Sequence, residues 1–254
     1  MALALLAAAG FFVDLTHAGS CSWNAASDGA AWSDSASWTS GCTGSGGIPG
    51  SADTVVFDAT SVKTSVIDTN IAVANLNVQA AYTGQVSLGS NTLSIVGGLY
   101  VDDASGFDAG TGLVKFIGTS GAATANSAAS LHNLELAACS SCDFNLQQDL
   151  AVDNDLTITQ IRNINPSGGT WQLRVAGDVT SNDTSVFNNA FVSLVGTADQ
   201  VVSGTGMLKL LDVSKAGGDV SLPADFRLGG PGTSAQLTGD GLIRNDGGRL
   251  IFDQ

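Results

Sequence analysis

The sequence predicts an all-β protein, a right-handed parallel β-solenoid, on three observations: short strands of period two, turn clusters between them, and an internal repeat without linkers. Val55-Val-Phe57, residues 73–78, Val86-Ser-Leu88, Leu93-Ser-Ile95 and Leu99-Tyr-Val101 alternate in polarity, as strands with one buried face do. Leu150-Ala-Val152, Leu156-Thr-Ile158, Leu173-Arg-Val175, Val220-Ser-Leu222 and Phe226-Arg-Leu228 continue the pattern. Gly97-Gly98, Asp153-Asn-Asp155 and Gly217-Gly-Asp219 separate such stretches and carry turn chemistry. Apart from the first residues, no stretch has the period of an amphipathic helix.

The repeat is read from strands centred on Leu76, Leu134 and Leu211. Each is followed at near-constant distance by a second alternating stretch (Val86-Ser-Leu88, Phe144-Asn-Leu146, Val220-Ser-Leu222) and then by a third at Leu93, Leu150 or Phe226. Lys115-Phe-Ile-Gly-Thr119 and Ser193-Leu-Val-Gly-Thr197 precede the second and third copies. Three degenerate repeats are expected, over about residues 55–114, 115–192 and 193–254, behind an N-terminal cap over 19–53. Units that follow one another without a Pro-rich or charged linker stack and bury a common core. Coils of roughly 20 to 25 residues, about 4.8 Å apart, would give on the order of ten coils. Gly and Asn are expected at the corners in left-handed conformations. Tandem β-sandwiches are the alternative, but their cores carry aromatics, and only 6% of residues here are aromatic.

Composition narrows the function. With 44% hydrophobic and 13% charged residues, the chain has the opposite balance to a disordered one. The net charge of −14, with nine Lys and Arg among 254 residues, argues against nucleic acid, whose phosphates are bound by basic side chains. It also argues against anionic membranes and acidic polysaccharides. Neutral glycans, divalent cations and other proteins remain as partners.

Export is expected. Residues 2–13 are apolar, too few for the roughly 20 residues of a membrane span, and Thr16-His17-Ala18 offers a small-x-small cleavage site. Residues 1–18 read as a signal peptide or as a retained hydrophobic assembly segment. Four cysteines suit an oxidising compartment: Cys21 with Cys42 around a Trp-rich block, and Cys139 with Cys142 in Cys-Ser-Ser-Cys. Two disulfides are expected, since a thioredoxin-like pair needs a βαβ setting.

Trp32-Ser-Asp-Ser-Ala-Ser-Trp38, Gly41, Ile48-Pro-Gly50, Asp53 and Val55-Val-Phe57 form a string that resembles the opening of secreted bacterial β-solenoid surface proteins, including autotransporter-passenger-like ones. The resemblance implies export, an elongated body and roles in adhesion or surface architecture, and it supplies no catalytic residues. Trp23, Trp32 and Trp38 are expected to cover the edge of the first coil; the functional alternative is a sugar-stacking platform, to which Trp171, Tyr82 and Tyr100 could add.

Chemistry-bearing motifs are few. There is no Gly-x-Ser-x-Gly elbow, His-Glu-x-x-His helix or phosphate-binding Gly loop. His132 is the one histidine beyond the leader and is expected on a surface or in a groove. Asp102 with Asp103 and Asp153 with Asp155 are weak calcium candidates, like Asn182-Asp183, and all sit where turns use Asp and Asn for their own backbone. A lyase site would need a basic residue beside the acids, with Arg162 and Arg174 the central candidates. The expectation is therefore no catalytic site, no cofactor, and an extracellular structural or adhesive role. Self-association into a filament or surface layer by head-to-tail contact fits that role. A glycan-binding adhesin and a polysaccharide-degrading β-helix enzyme are the alternatives.

Overall fold

The computed structural model describes residues 18–39, 41–184, 187–229 and 235–252. Apart from Ala18, the leader expected over 1–18 lies outside the described residues. The fold is a parallel β-solenoid of about nine turns. Among the described residues every paired strand runs parallel to its neighbours, and the one antiparallel bridge is an isolated one between Trp23 and Trp38. Tandem sandwiches, whose sheets are antiparallel, are thereby excluded.

Each turn supplies three faces. On the first, Leu93 pairs with Val114, then Leu134, Leu156 and Val179 in succession. On the second, Val55 is followed by Leu76, Leu99, Ala125 and Leu146. The third runs Ser65, Val86 and Phe107, and later Leu150, Leu173, Val192, Leu211 and Leu237. Alternation explains the core. Leu93, Ile95, Leu99 and Val101 of the strand Thr92–Val101 are all buried, while Thr92, Ser94 and Tyr100 stay half-exposed. That strand serves two faces, turning near Gly97-Gly98 where the register with its neighbour shifts between Val73 and Asn75.

The internal repeat needs correcting. Leu76, Leu134 and Leu211 stand on the second, first and third faces respectively, so they are not equivalent. The expected boundaries fall inside the strands Leu113–Phe116 and Val192–Leu194. The unit is the turn itself. All three faces carry the same alternating Leu/Val signature, so the pattern reveals strands without revealing which face each one occupies.

The asparagines also act differently from expectation. Among the described residues every positive-φ position is a glycine. Asn side chains instead bond adjacent turns: Asn70 Oδ1 accepts from Thr92 N at 2.8 Å, Asn75 Oδ1 from Gly98 N at 2.7 Å, and Asn91 Nδ2 donates to Ile67 O at 2.7 Å. Aspartates do the same. Asp155 Oδ1 accepts from Asp178 N, and Asp178 Oδ1 from Val201 N, both at 2.8 Å; Asp199 Oδ1 accepts from Asp219 N at 2.9 Å. The acidity of the chain follows in part from this use, because a carboxylate only accepts and corner amides need an acceptor.

The N-terminal end is sealed. Ser20–Ser22 forms the first rung, paired with Thr54 to Val56. Residues 37–39 run antiparallel along its outer edge, with Asn24 N donating to Ser37 O at 2.8 Å and Thr39 N to Ser22 O at 3.0 Å. Trp23, Trp32, Trp38, Phe57 and Tyr82 pack beneath as edge-to-face, tilted and stacked rings, with Trp23 and Trp38 centroids 4.9 Å apart. The Cys21–Cys42 disulfide ties this block down. Beside it the buried Asp53 carboxylate accepts from Thr43 N at 2.7 Å, Thr43 Oγ1 at 2.7 Å, Gly50 N at 2.8 Å and Gly19 N at 3.1 Å. Burial alone would raise the Asp53 pKa, but these four donors outweigh it and hold the pKa below the ordinary value. At the other end Leu237, Leu242 and Phe252 are exposed.

Candidate functional site

The third face is interrupted. Its first sheet ends at Phe107–Asp108 and its second begins at Leu150–Val152. The turn between them comes through residues 128–131 and contributes only a bridge from Leu131 to Val152. No ladder joins Phe107–Asp108 to residues 128–130 among the described residues. The sequence from Leu99 to its partner Ala125 is a long turn that includes a 3₁₀ segment, Ala104–Gly106, capped by Asp103. Ser127 turns inward, with its Oγ donating to Ala129 O at 2.9 Å, and so bends the chain away from strand geometry.

A groove of about 190 Å³ occupies the break. Phe107, Ala109 and Ala129, all buried, form its floor, and Asp108, Ser130, His132 and Asp153 line its polar side. Ser130 Oγ donates to Asp153 Oδ2 at 2.6 Å, and Gly110 N to Asp108 Oδ1 at 3.0 Å. Among the described residues that leaves Oδ1 of Asp153 and Oδ2 of Asp108 without a hydrogen-bond partner. Gly110, at the rim, has φ +54°, and a Cβ there would lie 2.5 Å from Gly89 O, so only glycine fits. Among the described residues no Lys or Arg lines the groove.

The expected site residues are thus redistributed. Trp23 and Trp32 are fully buried and Trp38 nearly so, so the sugar-stacking platform is ruled out: no ligand reaches those ring faces. Tyr82 is buried as well, with its hydroxyl bonded to Lys63 O, and burial followed by the Asp28 charge pushes its pKa up. Trp171 is half-buried, its Nε1 donating to Ser167 O at 3.3 Å, and Tyr100 is half-buried on the second face.

Of the calcium candidates, Asp102 accepts from Ala80 N at 3.2 Å and Asp103 from Ser105 N at 2.8 Å. Asp155 holds the next turn, and only Asp153 reaches the groove. Asp183 is buried and accepts from Ile161 N at 2.7 Å. Among the described residues no three His, Cys, Asp or Glu side chains are placed to hold a metal ion together. Arg162 forms a two-pronged pair with Asp143, at 2.8 and 2.6 Å, which raises the Arg162 pKa and lowers that of Asp143. Arg174 is exposed on the third face, register-paired with Ala151 and Ser193. Neither arginine lines the groove.

Both expected disulfides are present, Cys21–Cys42 and Cys139–Cys142, and the described residues include no free cysteine. Among the described residues no helix is long and apolar enough to cross a membrane. Sequence reasoning placed His132 and Asp153 separately and missed Asp108 and Ser130. The signal for them was the run Ser127-Ala-Ala-Ser130, which breaks the apolar alternation where a strand was due. Comparison with protein-family models, curated proteins and solved structures finds no match for this chain.

Proposed function

We propose that the chain is an exported, rigid β-rod that serves outside the cell as a structural or adhesive element. One observation carries this reading: polar and charged side chains at the corners are engaged in joining one turn to the next, as in the series Asp155, Asp178 and Val201. A molecule so organised invests its polar chemistry in a stiff body. Two closed disulfides support an oxidising location, and the Trp32 to Phe57 string supports kinship with secreted β-solenoid surface proteins.

Head-to-tail growth by strand pairing fits the geometry less well than the notion of a single rod. Such growth needs an open edge at both ends, and residues 37–39 occupy the N-terminal one. Fractionation of the native source with surface protease treatment tests the proposal. Protein that is protease-accessible on intact cells or in the medium, with all four thiols oxidised, is expected. Recovery in the cytoplasm with reduced thiols would overturn it.

A further inference from the structure

We infer that the outer side of the second face carries a platform for a neutral glycan, with the Tyr100 ring as its stacking surface; the inference rests on the display role proposed above. Gly98 and Tyr100 occupy outward positions of one strand, between the inward Leu99 and Val101. A Cβ on Gly98 would lie 2.3 Å from Tyr100 Cε2 and 2.7 Å from Cζ. The ring therefore lies down over the glycine, where a larger residue would hold it off the sheet. Gly98 is buried although its position faces outward, because the ring covers it. One face of the ring meets backbone, and the half-exposed residue turns the other toward solvent. A tyrosine held in this way offers a broad, rigid contact surface at small entropic cost.

Polar side chains frame the ring. Tyr100 is in register with Asn77 on one neighbouring strand and Asn126 on the other, and Gly98 with Asn75 and Thr124. Adjacent strands stand about 4.8 Å apart, so these groups surround a sugar ring resting on Tyr100. Asn75 is already committed: its Oδ1 accepts from Gly98 N at 2.7 Å and its Nδ2 donates to Thr54 Oγ1 at 3.0 Å. Asn126 Oδ1 accepts from Gln148 Nε2 at 2.9 Å, which leaves its own amide nitrogen to donate. Among the described residues the side chains of Asn77 and Thr124 and the Tyr100 hydroxyl have no hydrogen-bond partner, and all three reach solvent. A pyranose is the complement, with C–H groups on its ring faces and hydroxyls around its rim that both donate and accept. Amides and hydroxyls answer such a rim in both senses.

Charge selects the ligand. Residues 54–57, 74–78, 98–101 and 122–127 include no Asp, Glu, Lys or Arg, in a chain of net charge −14. A uronic acid, a sulfated sugar or a nucleic acid would meet no cation on these strands. A protein partner would meet few apolar side chains to bury. The neutral glycan is what remains.

The test is saturation-transfer NMR on the purified protein with linear hexasaccharides of glucose, mannose and xylose, and with an oligogalacturonate as the acidic control. At least one neutral oligosaccharide is expected to bind and to shift the Tyr100 ring resonances. Tyr82, the other tyrosine, is buried, and its resonances should stay in place. Tyr100→Ala, checked for native circular dichroism, should weaken binding at least about tenfold, while Tyr100→Phe should hold it within about threefold. Gly98→Ala keeps the tyrosine but lifts its ring, and should weaken binding as Tyr100→Ala does. No binding of any neutral oligosaccharide up to about 10 mM, an unshifted Tyr100 ring, undiminished binding in folded Tyr100→Ala, or equal binding of the galacturonate would overturn the inference. A surface protein that binds no sugar would sink the platform alone. A sugar-binding protein found in the cytoplasm would sink the display role alone.

Discussion

Trp23 and Tyr82 donate to the same acceptor: the indole Nε1 and the phenol hydroxyl both reach the Lys63 carbonyl, at 2.9 and 2.7 Å. A carbonyl oxygen has two lone pairs, so one backbone atom anchors two rings of the end cluster. Tyr82→Phe keeps the ring and its contact with Phe57 and leaves Lys63 O satisfied by Trp23. The expected cost is about 1 kcal/mol in urea unfolding. Tyr82→Ala, which empties a buried site, is expected to cost about 3–5 kcal/mol.

Asp53 links stability to pH. Its folded pKa is lowered, so its contribution is complete above the unfolded value of about 3.9 and is lost as pH falls through the lower folded value. Asp68, whose pKa is also lowered against burial by bonds from Ser33, acts in the same direction. Asp53→Asn should destabilise at neutral pH and flatten the loss of stability below about pH 4. Urea midpoints measured for both proteins across that range check it; parallel curves would refute the role given to Asp53.

The two disulfides should differ in weight. Cys21–Cys42 spans 21 positions and Cys139–Cys142 spans 3. On loop entropy alone, removal of the first should cost about 3 kcal/mol and of the second below about 2 kcal/mol. Serine replacement of each pair, followed by thermal unfolding, measures the order. A larger loss from the Cys139–Cys142 pair would contradict it.

Corner acceptors should tolerate loss of charge but not loss of the oxygen. Asp155→Asn retains an acceptor for the Asp178 amide and is expected to be near neutral, whereas Asp155→Ala should cost about 1 kcal/mol. Amide exchange at Asp178 reports the same contact locally: it should quicken in the alanine variant and stay slow in the asparagine one.

Much of the fold was legible because alternation is a direct record of burial. Val55-Val-Phe57, Leu150-Ala-Val152 and Phe226-Arg-Leu228 were all readable as strands, and each is one. Phase was not legible. Leu76 and Leu134 belong to similar motifs yet lie on different faces, since what distinguishes the faces is the length of the connecting corners. The tryptophan cap and both disulfides could be anticipated from spacing. The groove could not, because Asp108, Ser130, His132 and Asp153 come from three successive turns and meet only where a strand fails to form.

The central claim is that neighbouring turns stack in the stated register, and cysteine cross-linking measures this most directly. Thr157 pairs with Thr180, and Thr180 with Ser203, on half-exposed positions. Thr157→Cys with Thr180→Cys places the thiols one rung apart, about 4.8 Å, within the roughly 4.4–6.8 Å between Cα atoms that a disulfide spans. Thr157→Cys with Ser203→Cys places them two rungs apart, beyond that reach. Mild oxidation should join the first pair and leave the second open; a folded protein that joins the second pair, or neither, would contradict the stacked solenoid.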